Sequence, residues 1–471
     1  MSRGKQPYVD IRGYNTGVTG SAIRNTVHFS NGEKYRFLVD YGMYQGEGYK
    51  GIVYNDSVNP KKINAVLLTH THLDHDGALP IFMKKGYDKN IYMSEASNCL
   101  LDIGLMDSYR IMVRDSKPPK NGPILYSTGD IDRVMKNSVK CKYEQSVKIH
   151  ENITVTFFNN GHLVGASMIL VQIKEYNGSI NLLYTGDYKP NNIFLDLKDL
   201  PDLVYNLENL TIVTESTYGS TESKDISYEW ERNIIFACQQ KRLIVLPALG
   251  QGRAQELMYR IRMLQNEGKI PRDYPVRVDG NTTIQYTLRY LDRGDVLGIK
   301  NEARNFLPMN VQFINSPEDR NFVLSKNSRQ IIIATSGMGT NGPSASYIPY
   351  YLSKENAIIY FTCYLPPEST GYNVLKAEYG KEFCIGGKTI IKKAEMLQTR
   401  ESSSHATADQ IIKFINRFSP RSVLITHGEP MTKKTLDDKI HTETSVHKTG
   451  VLGLGYVYRV NSYGIDKAIK K

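Results

Sequence analysis

Apolar positions along the chain follow two rhythms. Up to about residue 220 they fall in short runs parted by turn residues: Tyr8–Ile11, Ala22–Phe29, Tyr35–Val39, Ala65–Leu68, Ile153–Phe158, Met168–Ile173, Ile180–Thr185 and Leu210–Thr214. Each run has strand length, and Asn31-Gly32 and Asn177-Gly178 predict hairpins between neighbours. Residues 13–20 read as turn-rich. Residues 95–140 read as helical, interrupted by the polar stretch around Lys117–Lys120. From about Thr221 strands and helices alternate. Leu243–Leu246, Val276–Val278, Val311–Ile314, Gln330–Ala334 and Ala357–Thr362 are the strands. A helix from Arg253 carries Ala254, Leu257, Met258, Ile261 and Leu264 on one stripe and ends at Gly268. Such alternation predicts a parallel sheet flanked by helices. Near the end, Thr407 and Gln410 fit a capping box. The helix they open buries Ile411, Ile412, Phe414, Ile415 and Phe418, stops at Pro420, and is followed by the strand Ser422–Thr426.

The polar residues at the strand ends carry the chemistry. Ala65–Leu68 runs into Thr69-His70-Thr71-His72-Leu73-Asp74-His75-Asp76-Gly77, with three histidines and an aspartate within six residues. In an extended loop His70 and His72 point one way, while Asp74 and His75 turn to a second point. Imidazole and carboxylate donors this close suit zinc and repel one another without a cation. Three other strands also end in ligand-type residues, at Asp40, Asp187 and Glu215, and His162 follows the strand Ile153–Phe158. Asp40 suits a carboxylate that orients a ligand histidine. Repeated strand-end placement builds a site along one sheet edge on rigid supports.

Two further loops read as anion sites. Pro247-Ala248-Leu249-Gly250-Gln251-Gly252 feeds the helix from Arg253, offering backbone N–H groups and a guanidinium. After Ala334, Ser336, Gly337, Gly339 and Gly342 keep a loop small enough for a phosphate to approach the backbone.

Composition sharpens this only modestly. The chain has 471 residues, 40% apolar, with net charge +11. That length allows two to four domains, and the charge favours a polyanionic partner. The five cysteines are odd in number and form no CxxC pair, as expected in a reducing compartment. No apolar run approaches membrane-spanning length and no signal core opens the chain, so the expectation is a cytoplasmic protein with no membrane partner.

His70-x-His72-x-Asp74-His75, with His162 and Asp187 after it, resembles the metallo-β-lactamase superfamily, and Asp40 matches its first motif. Glu215-Ser216-Thr217-Tyr218-Gly219 resembles motif A of the β-CASP nucleases within it. His405 resembles motif B, although Ser404 stands where glycine or alanine is usual, and His427-Gly428-Glu429 resembles motif C. The resemblance covers nearly the whole chain. It implies an α/β fold: an αββα sandwich over 1–220 and 395–471, with an inserted β-CASP domain over 221–394.

By the same resemblance His70, His72 and His162 hold one zinc ion, and Asp74, His75 and His427 a second. Asp187 bridges both, and manganese is an alternative occupant. Asp40, Asp74, Glu215 and His405 are the implied catalytic set, with His405 as general acid and Glu215 orienting it. Arg253, Ser336, Gly337, Gly339, Gly342, Ser403 and His405 are the implied substrate contacts. Asn341-Gly342 departs from the family's Gly-Gly at that loop. Arg253, Lys388, Lys392 and Lys393 are candidates to line a groove for a single strand.

His427 favours RNA, because DNA-repair members carry valine at motif C. Gly252–Leu257 resembles the cleavage-and-polyadenylation endonuclease and its archaeal and bacterial relatives more than RNase J. Neither an N-terminal RNA-binding domain nor a long C-terminal extension is expected. The reading is an endoribonuclease acting on single-stranded RNA, able also to trim from the 5′ end, and a homodimer by analogy. A single-strand DNA nuclease, a small-molecule hydrolase and a catalytically silent RNA scaffold are the rivals. The remaining histidines, His28, His150, His441 and His447, are expected to be structural or at the surface.

Overall fold

The fold is that of a computed structural model. The described residues are 6–14, 17–44, 54–118, 120–223, 228–367, 369–399, 401, 403–453 and 455–470. The expected turn over 13–20, the interruption at 117–120 and the boundary near 221 lie partly outside them. Two compact units emerge: Met1–Ser223 with Val296–Gly298 and Ser404–Lys471, and Lys224–Asp295 with Ile299–Ser403.

The first unit holds two sheets face to face. One runs, in spatial order, Gly464–Lys470, Tyr456–Asn461, Tyr8–Gly13, Ile23–His28, Lys34–Val39, Ala65–Leu67, Ile91–Ser94 and Ser138–Cys141. The other runs Thr449–Val451, Ser422–Ile425, Leu210–Thr214, Gly178–Tyr184, Ser167–Glu175, Ile153–Asn159 and Ser146–His150. Alternation along the strands explains the packing. Val9, Ile11, Phe37 and Leu67 of the first sheet meet Val155, Phe157, Val171 and Leu182 of the second in one buried core. Residues of opposite parity face helices: Leu38 and Val66 pack with Phe82, Leu101 and Leu105, and Leu183 and Ile212 with Ile411 and Ile440. The result is the expected αββα layering.

The region read as helical over 95–140 is two helices, Glu95–Asp115 and Thr128–Lys136, followed by a strand. The short run Ser138–Cys141 was lost in the helical reading because it extends an existing parallel sheet beside Ile91–Ser94. Thr407 and Gln410 do form a capping box ahead of Ala408–Ile415.

The second unit is a six-stranded sheet in the order Val311–Ile314, Val276–Asp279, Gln330–Ala334, Leu243–Pro247, Ala357–Phe361, Glu395–Gln398. Every neighbouring pair is parallel. Glu395–Gln398 was expected to open the segment returning to the first domain. It is instead hydrogen-bonded beside Ala357–Phe361, so the inserted unit runs on to Ser403.

Candidate metal centre

Every predicted metal ligand sits at one edge of the first unit. His70 and His72 lie just beyond the strand Ala65–Leu67, and Asp74 and His75 on the short helix Leu73–Asp76. His162 follows Ile153–Asn159, Asp187 follows Gly178–Tyr184, and His427 follows Ser422–Ile425. Residues spread over more than three hundred positions therefore meet because their strands share a sheet edge.

They meet as two overlapping clusters. One ligand atom each from His70, His72, His162 and Asp187 lies within 4.8 Å of the others, and the same holds for Asp74, His75, Asp187 and His427. Asp187 belongs to both. Its Oδ2 is 3.3 Å from His75 Nε2, 3.6 Å from His70 Nε2 and 3.8 Å from His162 Nε2. Its Oδ1 is 3.2 Å from His427 Nδ1. Asp74 Oδ2 stands 3.6 Å from His75 Nε2 and 3.5 Å from His427 Nε2.

The donor set fits two divalent cations. His70 Nε2, His75 Nε2 and Asp187 Oδ1 are buried without a hydrogen-bond partner, a costly arrangement unless something else engages them. Burial holds His70 and His162 well below the usual histidine range and His72 at about 4, so all three remain neutral, as a ligand must. His75 behaves oppositely. Burial opposes its charge, but Asp187, Asp40 and Asp74 raise it well above the usual range. These carboxylates favour positive charge at this point, which a bound cation would supply. Asp74, although burial works against it, is lowered to about 2 by His75 and His427.

Outer partners fix the ligands. Asp40 Oδ2 lies 2.7 Å from His75 Nδ1, and its Oδ1 accepts from the Thr69 amide at 2.8 Å. The Thr69 hydroxyl reaches both Asp40 and, at 3.0 Å, His70 Nδ1. Asp40 and His427 hold φ of 60° and 44°. Non-glycine residues pay roughly 1–3 kcal/mol for such conformations, which persist where surrounding contacts over-determine them. Asn160 receives the His162 amide on its Oδ1 and donates to the carbonyls of Thr185 and Asp187 at 2.8 and 2.6 Å, linking two ligand loops. His162 Nδ1 is 2.8 Å from the Ser404 carbonyl oxygen. Thr69, Asn160 and Ser404 were missed as contributors: each acts through a backbone contact or a short hydroxyl or amide, types that turns use everywhere.

His405 stands beside this centre. Its Nδ1 is 2.8 Å from Glu215 Oε2 and 4.0 Å from Asp187 Oδ2. Glu215 also accepts from the Tyr188 amide through its other oxygen. Burial works against a charged His405, yet the Glu215 carboxylate raises it to about 9.

The other predicted contacts, Arg253, Ser336, Gly337, Gly339, Gly342 and Ser403, belong to the second unit. Arg253 is buried and paired to Glu256 at 2.6 Å, and Gly252 N–H is used by Gln255 at 2.8 Å. That loop therefore offers fewer free donors to an anion than its sequence suggests. Lys392 is corrected outright as a groove residue. It is buried, and its ammonium caps the carbonyls of Val374, Leu375 and Ala377 at the end of the helix Thr370–Lys376. Lys393 pairs with Glu355 at 3.1 Å.

Residues 30–195 match a metallo-β-lactamase superfamily domain, 254–374 a Beta-Casp domain, and 390–449 a Zn-dependent metallo-hydrolase RNA specificity domain. The chain is 29% identical over 415 residues to transcription termination factor FttA of Methanocaldococcus jannaschii, covering 84% of this chain and 63% of that protein. It is 30% identical over 416 residues to FttA of Methanococcus maripaludis, with the same coverage of 84% and 63%. With a probable RNase, MJ4 of M. jannaschii, it shares 26% identity over 403 residues, 84% of this chain and 88% of that one. The chain thus spans a little under two thirds of those two FttA relatives.

Proposed function

Because the chain belongs to the β-CASP branch of the metallo-β-lactamase superfamily, we propose that it is a zinc-dependent ribonuclease cleaving phosphodiester bonds of single-stranded RNA, within the strand and from its 5′ end. The single observation that carries this reading is Asp187, shared by two ligand clusters, with the His405–Glu215 pair against it. Two cations, when bound there, supply Lewis acidity and a nucleophile at neutral pH. His70, His72, His162 and Asp187 would hold one, and Asp74, His75, His427 and Asp187 the other; manganese is the alternative metal.

The chain's own residues do the rest. Asp40 and Thr69 lock the orientation of His75 and His70. Glu215 holds His405 by Nδ1, turning the other ring nitrogen toward the reacting group. From that nitrogen a proton passes to the departing ribose oxygen. The loop bearing Ser336, Gly337, Gly339 and Gly342 contacts substrate phosphates, as does Ser403, while Arg253 stays paired to Glu256. The name of MJ4, whose length the chain nearly spans, supports an RNA substrate. The FttA relatives favour a second reading of the target, in which the RNA is a nascent transcript.

Matched 5′-labelled RNA and DNA single strands, incubated with zinc, with manganese or with a chelator, test this. Expected is RNA cleavage to 5′-phosphate and 3′-hydroxyl products, abolished by the chelator. Equal cleavage of DNA would overturn the substrate assignment; metal-independent activity would overturn the mechanism.

A further inference from the structure

The eight-stranded sheet has an outer face that chemistry at the metal edge does not use. Along its strands Val9, Ile11, Val27, Phe37 and Val460 point into the core. The alternate residues point outward, among them Tyr8, Asp10, Arg12, Arg24, His28, Lys34, Arg36, Arg459 and Lys467. Register sets Arg12 directly across from Arg24, and Asp10 across from Arg459. Asp10 is taken: Arg459 grips it at 2.8 and 3.0 Å, and His28 Nε2 sits 3.1 Å away.

Arg12 and Arg24 are different. Like charges directly opposed across a ladder destabilise it. Both guanidiniums lie against one ring, 4.7 and 5.8 Å from the Tyr14 centroid, and neither forms an ion pair among the described residues. Arg24 Nε and the Tyr14 hydroxyl are buried with no hydrogen-bond partner. Among the described residues these two donors meet no acceptor. Cation–π packing alone would explain one arginine on a tyrosine, worth about 0.5–1 kcal/mol at exposed sites. It does not explain two mutually repelling ones, one with its Nε unsatisfied, beside an unsatisfied hydroxyl.

The place matters as much as the charge. Gly13, Ile23 and Val39 form the next rung of the ladder, and Asp40 follows Val39. The arginine rung is one residue back, about 3.3 Å along the strand. The same segment is tied to the metal loop, since Ser21 donates to the Asp74 carbonyl at 2.7 Å.

We propose that Arg12, Arg24 and the Tyr14 hydroxyl form a phosphate-binding subsite that holds a phosphodiester of the substrate strand outside the metal centre. Guanidinium forks match phosphate oxygens, and the hydroxyl completes the set. Arg36 and Lys467 extend the positive field along the same face. That the phosphate belongs to an RNA strand rests on the ribonuclease reading; the anion site itself does not.

The test is RNA binding by the full chain in a chelator, followed by anisotropy of a labelled single strand over a salt series. For Arg12→Gln/Arg24→Gln, affinity falls about ten-fold at low salt, two charge-assisted contacts being lost. The slope of log affinity against log salt becomes shallower by about 0.7, the value for one neutralised phosphate on a single strand. Hydrolysis of bis(p-nitrophenyl) phosphate by the metal-loaded variant stays within about two-fold of the parent, the reacting groups being untouched. Should the double variant not fold, Tyr14→Phe replaces it, with RNA affinity about three-fold weaker for one lost hydrogen bond and an unchanged melting temperature. RNA affinity and slope unchanged in the variant that folds overturn the subsite. Calorimetry with inorganic phosphate separates the sources: phosphate heat lost in the variant while RNA binding is intact overturns the strand as occupant. Loss of RNA affinity in a protein that cleaves no phosphodiester leaves the subsite standing and removes the nuclease reading instead.

Discussion

Asp187 and His405 are 4.0 Å apart yet should answer mutation differently. Asp187 is the one side chain common to both ligand clusters, so Asp187→Ala removes the group that makes a pair of cations possible. His405 also falls in a cluster with Asp187 and Glu215 that could hold an ion, so geometry alone leaves its role to be measured. Its Nδ1 is committed to Glu215 at 2.8 Å, which favours a proton donor over a ligand. His405→Ala is therefore expected to keep its bound metal, measured by atomic emission, while kcat on RNA falls about 10²- to 10⁴-fold. Asp187→Ala loses metal and activity together. Equal metal loss in both variants makes His405 a ligand.

At the scale of elements, the site depends on how closely one segment lies against the metal helix. Tyr41 and Met43 donate to the carbonyls of His75 and Leu73, each at 2.8 Å. Between them, a Cβ on Gly42 would stand 1.7 Å from the Asp74 carbonyl oxygen. Gly42→Ala must push that carbonyl away and with it two ligands, at a cost of about 3 kcal/mol or more. A lowered melting temperature together with weaker metal binding is the expected pair of results; a variant that melts and binds like the parent shows the segment can yield. In the sequence Gly42 reads only as a turn residue after a strand. The strands themselves were legible because period-two alternation and bounding turn residues act locally, and the ligand motifs because histidines and aspartates at strand ends are distinctive. Asn160 and Thr69 were not, since their importance comes from which loops the sheet edge brings together. Lys392 misled for a related reason: a lysine's default is solvent, and only the fold reveals that it caps a helix. Glu395–Gln398 joins the inserted sheet by parallel pairing with a strand more than thirty residues earlier, which no local pattern announces.

For the whole molecule, the two units should respond separately to metal. Both predicted ligand clusters lie in the first unit, on loops that close one edge of its two sheets. That edge buries the carboxylates of Asp40, Asp187 and Glu215, and bound cations would offset the cost of burying them. Binding that favours the folded state stabilises it by about 2.7 kcal/mol for each site when metal exceeds its dissociation constant a hundred-fold. Local opening is governed by local contacts, so the gain should concentrate where the ligands are. Hydrogen exchange with and without zinc reads this directly. Amides over 69–77, 160–167, 185–188 and 426–428 are expected to gain protection. Those of Leu243–Pro247 and Gln330–Ala334, central strands of the other sheet, should exchange as before. Protection that rises equally in both sheets would mean metal acts on the chain through something other than this centre, and protection that rises in neither would mean the clustered ligands do not bind zinc.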